Sequence, residues 1–155
     1  MMFSRLIPYE EITKQLKSAD TIAVISCNTC ARECGVGGVS RADELVDRLT
    51  QDGYTVTEEV VLQDACSEPV YRKARIRLDA DTIIVLACSA GIDCVKRMFP
   101  KTRVLTVTED VGLFVTETDL EVFKVALPFS GFKAGAEYAM YTGAPQEKQR
   151  IRLEE

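Results

Sequence analysis

Six cysteines and no histidine bound the chemistry open to this chain. Three thiols crowd one loop, Cys27-Asn-Thr-Cys30-Ala-Arg-Glu-Cys34-Gly-Val-Gly-Gly38, and Cys66, Cys88 and Cys94 complete the pool. Without histidine there is no Ser/His or Cys/His catalytic pair and no mixed His–Cys zinc site. In a chain with no export signal, dense thiols read as a metal or cluster site before a disulfide framework. A [4Fe–4S] cluster needs soft thiolates, usually four. Cys27, Cys30 and Cys34 supply three, and Cys66, Cys88 or Cys94 the fourth. Gly35, Gly37 and Gly38 then let backbone amides approach the sulfides. Zinc competes for the same donors, although four-cysteine zinc sites usually carry two Cys-x2-Cys pairs and only Cys27/Cys30 is present. Two other readings stay open: a redox dithiol at Cys27 and Cys30, and buried cysteines acting as small hydrophobes, as suits Cys94.

The surrounding elements place these thiols. Pro8–Ser18 reads as a short amphipathic helix, with Glu10 and Glu11 at its positive end and Ile12 and Leu16 on one face. The apolar run Thr21–Ser26 reads as a central parallel strand delivering Cys27. A helix opening at Ser40 carries Ala42, Leu45, Val46 and Leu49 at helical spacing and ends at Asp52-Gly53. A strand over Tyr54–Leu62 leads to Cys66. A helix follows, capped by Ser67, with Pro69 in its first turn and Val70, Ala74 and Leu78 on one side. Thr82–Ala87 is a strand ending at Cys88, followed by a short helix carrying Cys94, Val95 and Met98 and stopped by Pro100. Arg103–Thr108 is the fourth strand. Three consecutive strands thus each bring a cysteine to one carboxyl edge, where such sheets bind ligands. Leu113–Val115 and Val122–Leu127 suggest a hairpin, and residues 146–155 a charged, frayed or partner-bound tail.

The alternation predicts an α/β fold: one domain over residues 1–155, with three layers around a mostly parallel sheet of four to five strands, helices on both faces, flavodoxin/Rossmann-like. Length and a 46% hydrophobic share suit a single core. The net charge of −5 and the lack of a basic stripe argue against nucleic acid. Ile83–Ala87 is too short to span a bilayer, and the first eight residues are too short and too soon charged for a secretory signal, so no membrane is expected and the cytoplasm is the default. A dinucleotide site is disfavoured because Gly35-Val-Gly37-Gly38-Val-Ser40 lacks the last glycine of GxGxxG. Glu33 and Asp93 are candidate tuning carboxylates.

Taken in order, Cys27-Asn-Thr-Cys30 through Gly38, the mid-chain Cys66 and Leu86-Ala-Cys88-Ser-Ala-Gly91 resemble the methylenetetrahydrofolate reductase C-terminal domain family, the small subunit of acetogen-type methylenetetrahydrofolate reductases. The resemblance covers about the first two-thirds of the chain. It implies an iron–sulfur protein, with zinc as a further metal, that partners a folate-binding flavoprotein and passes electrons to it in one-carbon metabolism of anaerobes. By this resemblance the chain is a non-catalytic subunit of an oxidoreductase complex. Longer members continue into a cysteine-rich tail, whereas here no cysteine follows Cys94, which implies a short, one-site version.

Overall fold

In the computed structural model, residues 1–146 are described. Among these residues every helix has fourteen residues or fewer, and none is long and apolar enough to cross a membrane. The chain runs β1 (Met2–Leu6), α1 (Tyr9–Thr13), β2 (Thr21–Cys27), α2 (Cys30–Glu33), α3 (Gly38–Gln51), β3 (Thr55–Leu62) and α4 (Glu68–Ala74). It continues with β4 (Thr82–Leu86), α5 (Ser89–Met98), β5 (Arg103–Thr106), β6 (Thr108–Glu117), a single 3-10 turn (Thr118–Leu120), β7 (Val122–Pro128) and β8 (Glu137–Ala139).

Two four-stranded sheets result. One is parallel, in the order β3-β2-β4-β5; the other is antiparallel, in the order β1-β6-β7-β8. The expected single, mostly parallel, three-layer flavodoxin/Rossmann-like sheet is therefore corrected: this is a mixed α/β fold with two sheets. The physical reason is β1. Its backbone pairs with β6 more than a hundred residues away, Ser4 opposite Asp110, and that pairing gives the C-terminal hairpin a third strand and an inner face.

Alternation along the parallel strands fills two separate layers. Ile22, Val24, Ile84 and Leu86 pack with Ile12 of α1 and Ala42, Leu45 and Leu49 of α3. Ala23, Ile25, Ile83 and Val85 face the other way, against Tyr71 of α4 and Ile92, Cys94 and Val95 of α5. The same second cluster takes in Phe3, Val111, Phe114, Phe123, Val125 and Tyr138 of the antiparallel sheet, so the sheets share one core. Phe3 lies at its centre, with ring centroids 5.0 to 6.5 Å from Phe114, Phe123, Phe132 and Tyr138.

Several expected bounds shift for local reasons. The first helix keeps one turn and a half. The fourth strand stops at Thr106, and the chain crosses from one sheet to the other at the buried Val107, whose carbonyl accepts the Ile7 amide at 2.9 Å. Arg75 adopts left-handed backbone at the end of α4, so Leu78 packs on the core from a loop instead of from the helix. Helix α3 starts at Gly38, two residues before Ser40. The hairpin over β6 and β7 is present, with Leu113 opposite Leu127. Of the charged tail, residues 147–155 lie outside the described ones.

Candidate functional site

The parallel sheet has a divergence point. From β2 the chain leaves through α2 and α3 for β3 on one side, and from β4 it leaves through α5 for β5 on the other. Ser26 of β2 stands beside Leu86 of β4, so the crevice opens immediately beyond, between Cys27 and Cys88. Ligands of open parallel sheets sit at such points, because the two connections part and leave the strand ends uncovered.

Four thiols gather on this edge. Cys27 is the last residue of β2, opposite Leu62, and its Sγ points to the Gln63 carbonyl at 3.8 Å. Cys30 opens α2, three residues further on and half-buried. Cys66 is exposed in the loop from β3 to α4. Cys88 is the residue before α5, half-buried. Thr29 ties the first and third of these loops together, its hydroxyl donating to the Gln63 carbonyl and meeting the Asp64 carboxylate. Electrostatics links the same set. The Cys66 thiol is held above the ordinary thiol range by loss of hydration, then by the neighbouring Cys88 and Cys27. Cys88 is also raised, chiefly by burial and further by Asp110 and Cys30, against the opposing amides of Gly91 and Ala90. Asp110 and Cys30 thus add to burial in favouring the neutral Cys88 thiol.

Cys34 stands apart. Its Sγ is turned into the core, 3.5 Å from the Ser4 carbonyl and 3.6 Å from that of Ala31, and burial pushes the thiol up to about 11. The loop triplet expected to supply three ligands is thus divided, with Cys27 and Cys30 on the edge and Cys34 under β1. Cys94 is fully buried in α5 within the apolar cluster. The expected carboxylates split too: Asp93 pairs with Arg97 on the surface at 3.0 Å, while Glu33 lies in α2 with one carboxylate oxygen buried and unpartnered among the described residues.

The glycines serve packing first. A Cβ on Gly37 would come within 2.7 Å of both the Cys27 carbonyl and the Ala31 methyl group, and 3.0 Å of the Leu86 carbonyl. The loop therefore lies directly on the ends of β2 and β4 only because position 37 has no side chain. Gly35, at φ +85°, lets the Thr142–Gly143 backbone close over the loop, its absent Cβ falling 2.5 Å from the Thr142 carbonyl carbon. Gly38 follows at the start of α3.

In donor type and in placement on one edge, Cys27, Cys30, Cys66 and Cys88 fit a thiophilic ion or an iron–sulfur cluster. In the arrangement seen, no three Cys, Asp or Glu side chains among the described residues are disposed around a common point to hold a metal ion.

Sequence reasoning missed the contribution of the antiparallel sheet. Asp110 of β6 accepts hydrogen bonds from the Ser4 hydroxyl at 2.8 Å and from the Ser89 amide at 3.2 and 3.3 Å. One carboxylate thus joins β1, β6 and the first turn of α5 beside Cys88. An isolated aspartate in a weakly patterned strand carries no signal of that role.

No protein-family model, no curated protein and no solved structure matches this chain significantly.

Proposed function

We propose that this chain is an iron–sulfur electron-transfer or accessory subunit, bound through Cys27, Cys30, Cys66 and Cys88, that works with a flavoprotein of the methylenetetrahydrofolate reductase type. The observation that carries the reading is the gathering of those four thiols at the point where the connections from β2 and β4 diverge. The cofactor class is read from an all-sulfur donor set without histidine; the partner class is what the resemblance of the cysteine motifs to that family implies.

A bound cluster supplies one-electron exchange. The protein's own residues do the rest. Gly37 seats the loop on the strand ends, Thr29 fixes it to the loop bearing Cys66, and Asp110 fixes the start of α5 beside Cys88. Amides of Ala90 and Gly91 face the Cys88 sulfur and favour its anionic form. On the outer face of the antiparallel sheet, Leu113, Val115, Leu127 and Phe129 are exposed and offer an apolar surface for a partner. Of the three phenylalanines from Phe123 to Phe132, only Phe129 joins it, since Phe123 is core and Phe132 is half-buried beneath the Arg5 guanidinium.

Anaerobic purification followed by iron, zinc and sulfide analysis beside a visible spectrum tests the reading. The expected result is about four iron and four sulfide per chain with absorbance bleached by dithionite, kept in Cys34→Ser and lost in Cys27→Ser. Stoichiometric zinc without sulfide replaces it by a zinc-bound structural or methyl-transfer accessory protein. Metal-free protein that exchanges thiols and disulfides, with Cys27→Ser inactive, replaces it by an oxidoreductase.

A further inference from the structure

Beside the thiol edge, on the far side of the glycine loop, lies a second feature that the thiol chemistry does not use. It is a cavity of about 610 Å³ lined by Asn28, Arg32, Gly37–Arg41, Glu44, Tyr141 and Thr142. That volume suits a small-molecule site.

Its side chains are arranged for an anion. The Arg32 guanidinium lies over the Tyr141 ring, 4.9 Å from its centroid, and among the described residues it makes no ion pair or hydrogen bond. A stack of this kind holds the guanidinium through its face and leaves its N–H donors free to bond. Arg41 is held in place, its Nε donating to the Gly35 carbonyl at 2.7 Å and its Nη1 pairing with Glu44 at 2.7 Å. Two guanidinium groups against one carboxylate make this wall positive in a chain whose net charge is −5. Ser40 adds an exposed hydroxyl. Packing explains part of this arrangement, since the Arg32 stem rests against Gly38. It gives the exposed Arg32 head group no acceptor among the described residues at a cavity of this size.

We infer that this cavity binds a small molecule through an oxyanion, phosphate or carboxylate, held between Arg32 and Arg41 with Tyr141 as a flat wall. Such a ligand would lie one residue from Cys27, across Asn28. The site therefore gives the thiol edge a neighbouring small-molecule pocket, yet its binding does not depend on what the thiols hold.

The test is a titration of the full chain with inorganic phosphate and, separately, with citrate, at constant ionic strength, followed by amide chemical shifts. Saturable shifts confined to Arg32, Gly37–Arg41 and Tyr141–Thr142 are expected, and the tighter of the two probes identifies the oxyanion. Arg32→Gln should weaken binding roughly tenfold or more, the usual loss for a charge-assisted hydrogen bond. Ser40→Ala should weaken it less, and Arg103→Gln, on a distant edge strand, not at all. Unchanged melting of Arg32→Gln shows that the loss is local; if that variant unfolds, Ser40→Ala carries the comparison. Binding that persists in Cys30→Ser/Cys66→Ser supports the inference whatever the outcome of the metal analysis. No saturable shift below about 10 mM, or an equal loss in Arg103→Gln, overturns it.

Discussion

Cys34 shows how one residue type divides into two roles. Four thiols lie on the strand-end edge, while this one faces carbonyl oxygens under β1, where its charged form is poorly solvated. Its thiol is raised from the ordinary value of 9.0 to about 11. The unfolded chain therefore releases this proton first as pH rises. The neutral-thiol contribution to stability is complete below about pH 9 and is lost progressively up to about 11, at most about 3 kcal/mol. Urea midpoints should fall from pH 9 upward in the native chain, and Cys34→Ala should flatten that decline. Cys66, Cys88 and Cys94, also raised by burial, add losses that begin near the same pH, and Tyr71 adds its own from about pH 10. An unchanged decline in the variant would assign base sensitivity elsewhere. The spacing of the cysteines did not reveal this division. Cys30 and Cys34 are one helical turn apart, but α2 is four residues long, and which thiol turns inward is decided by β1, a strand invisible to local pattern.

At the scale of elements, the glycine loop positions both candidate sites. One face of Gly37 rests on the ends of β2 and β4, and the following residues line the cavity with Arg32. Gly37→Ala should force the loop off the strand ends, costing about 1–3 kcal/mol as overpacking does, and should loosen both sites together. A lowered urea midpoint combined with a weaker phosphate response checks this. A midpoint equal to that of the native chain would mean that the loop can shift freely. Much of the parallel sheet was legible in advance. Thr21–Ser26 and Thr82–Ala87 announce themselves by being apolar on both faces, and the stripe of Ala42, Leu45 and Leu49 marks α3. The loops resisted because their conformations depend on distant backbone: the Thr142–Gly143 segment that closes over Gly35 comes from the other sheet.

The described residues form two sheets that share one apolar cluster, with a second cluster between the parallel sheet and helices α1 and α3. Phe3 lies against three aromatic rings of the antiparallel sheet and Phe132 of the loop between β7 and β8, and it belongs to the cluster that also contains Ile25 and Val85 of the parallel sheet. Phe3→Ala should remove about 3–5 kcal/mol, and both sheets should still melt in one transition, because neither retains a complete core alone. Separate transitions by far-ultraviolet dichroism and tyrosine absorbance would show two independent units. This level was the least legible in the sequence. Short-range periodicity gives each strand its identity but not its partner, and Ser4 meets Asp110 across 106 intervening steps of chain.

That pairing has a consequence for synthesis. Strand β1 leaves the ribosome before its partner β6, which follows only after the whole parallel sheet has been made. At about 5–20 residues per second the gap lasts on the order of ten seconds. During it, Phe3 has no ring to stack on, and the layer of the parallel sheet that holds Ile25 and Val85 has no second sheet against it. Strand β1 is thus made before the parallel sheet, yet it reaches its partner only when β6 and Asp110 arrive.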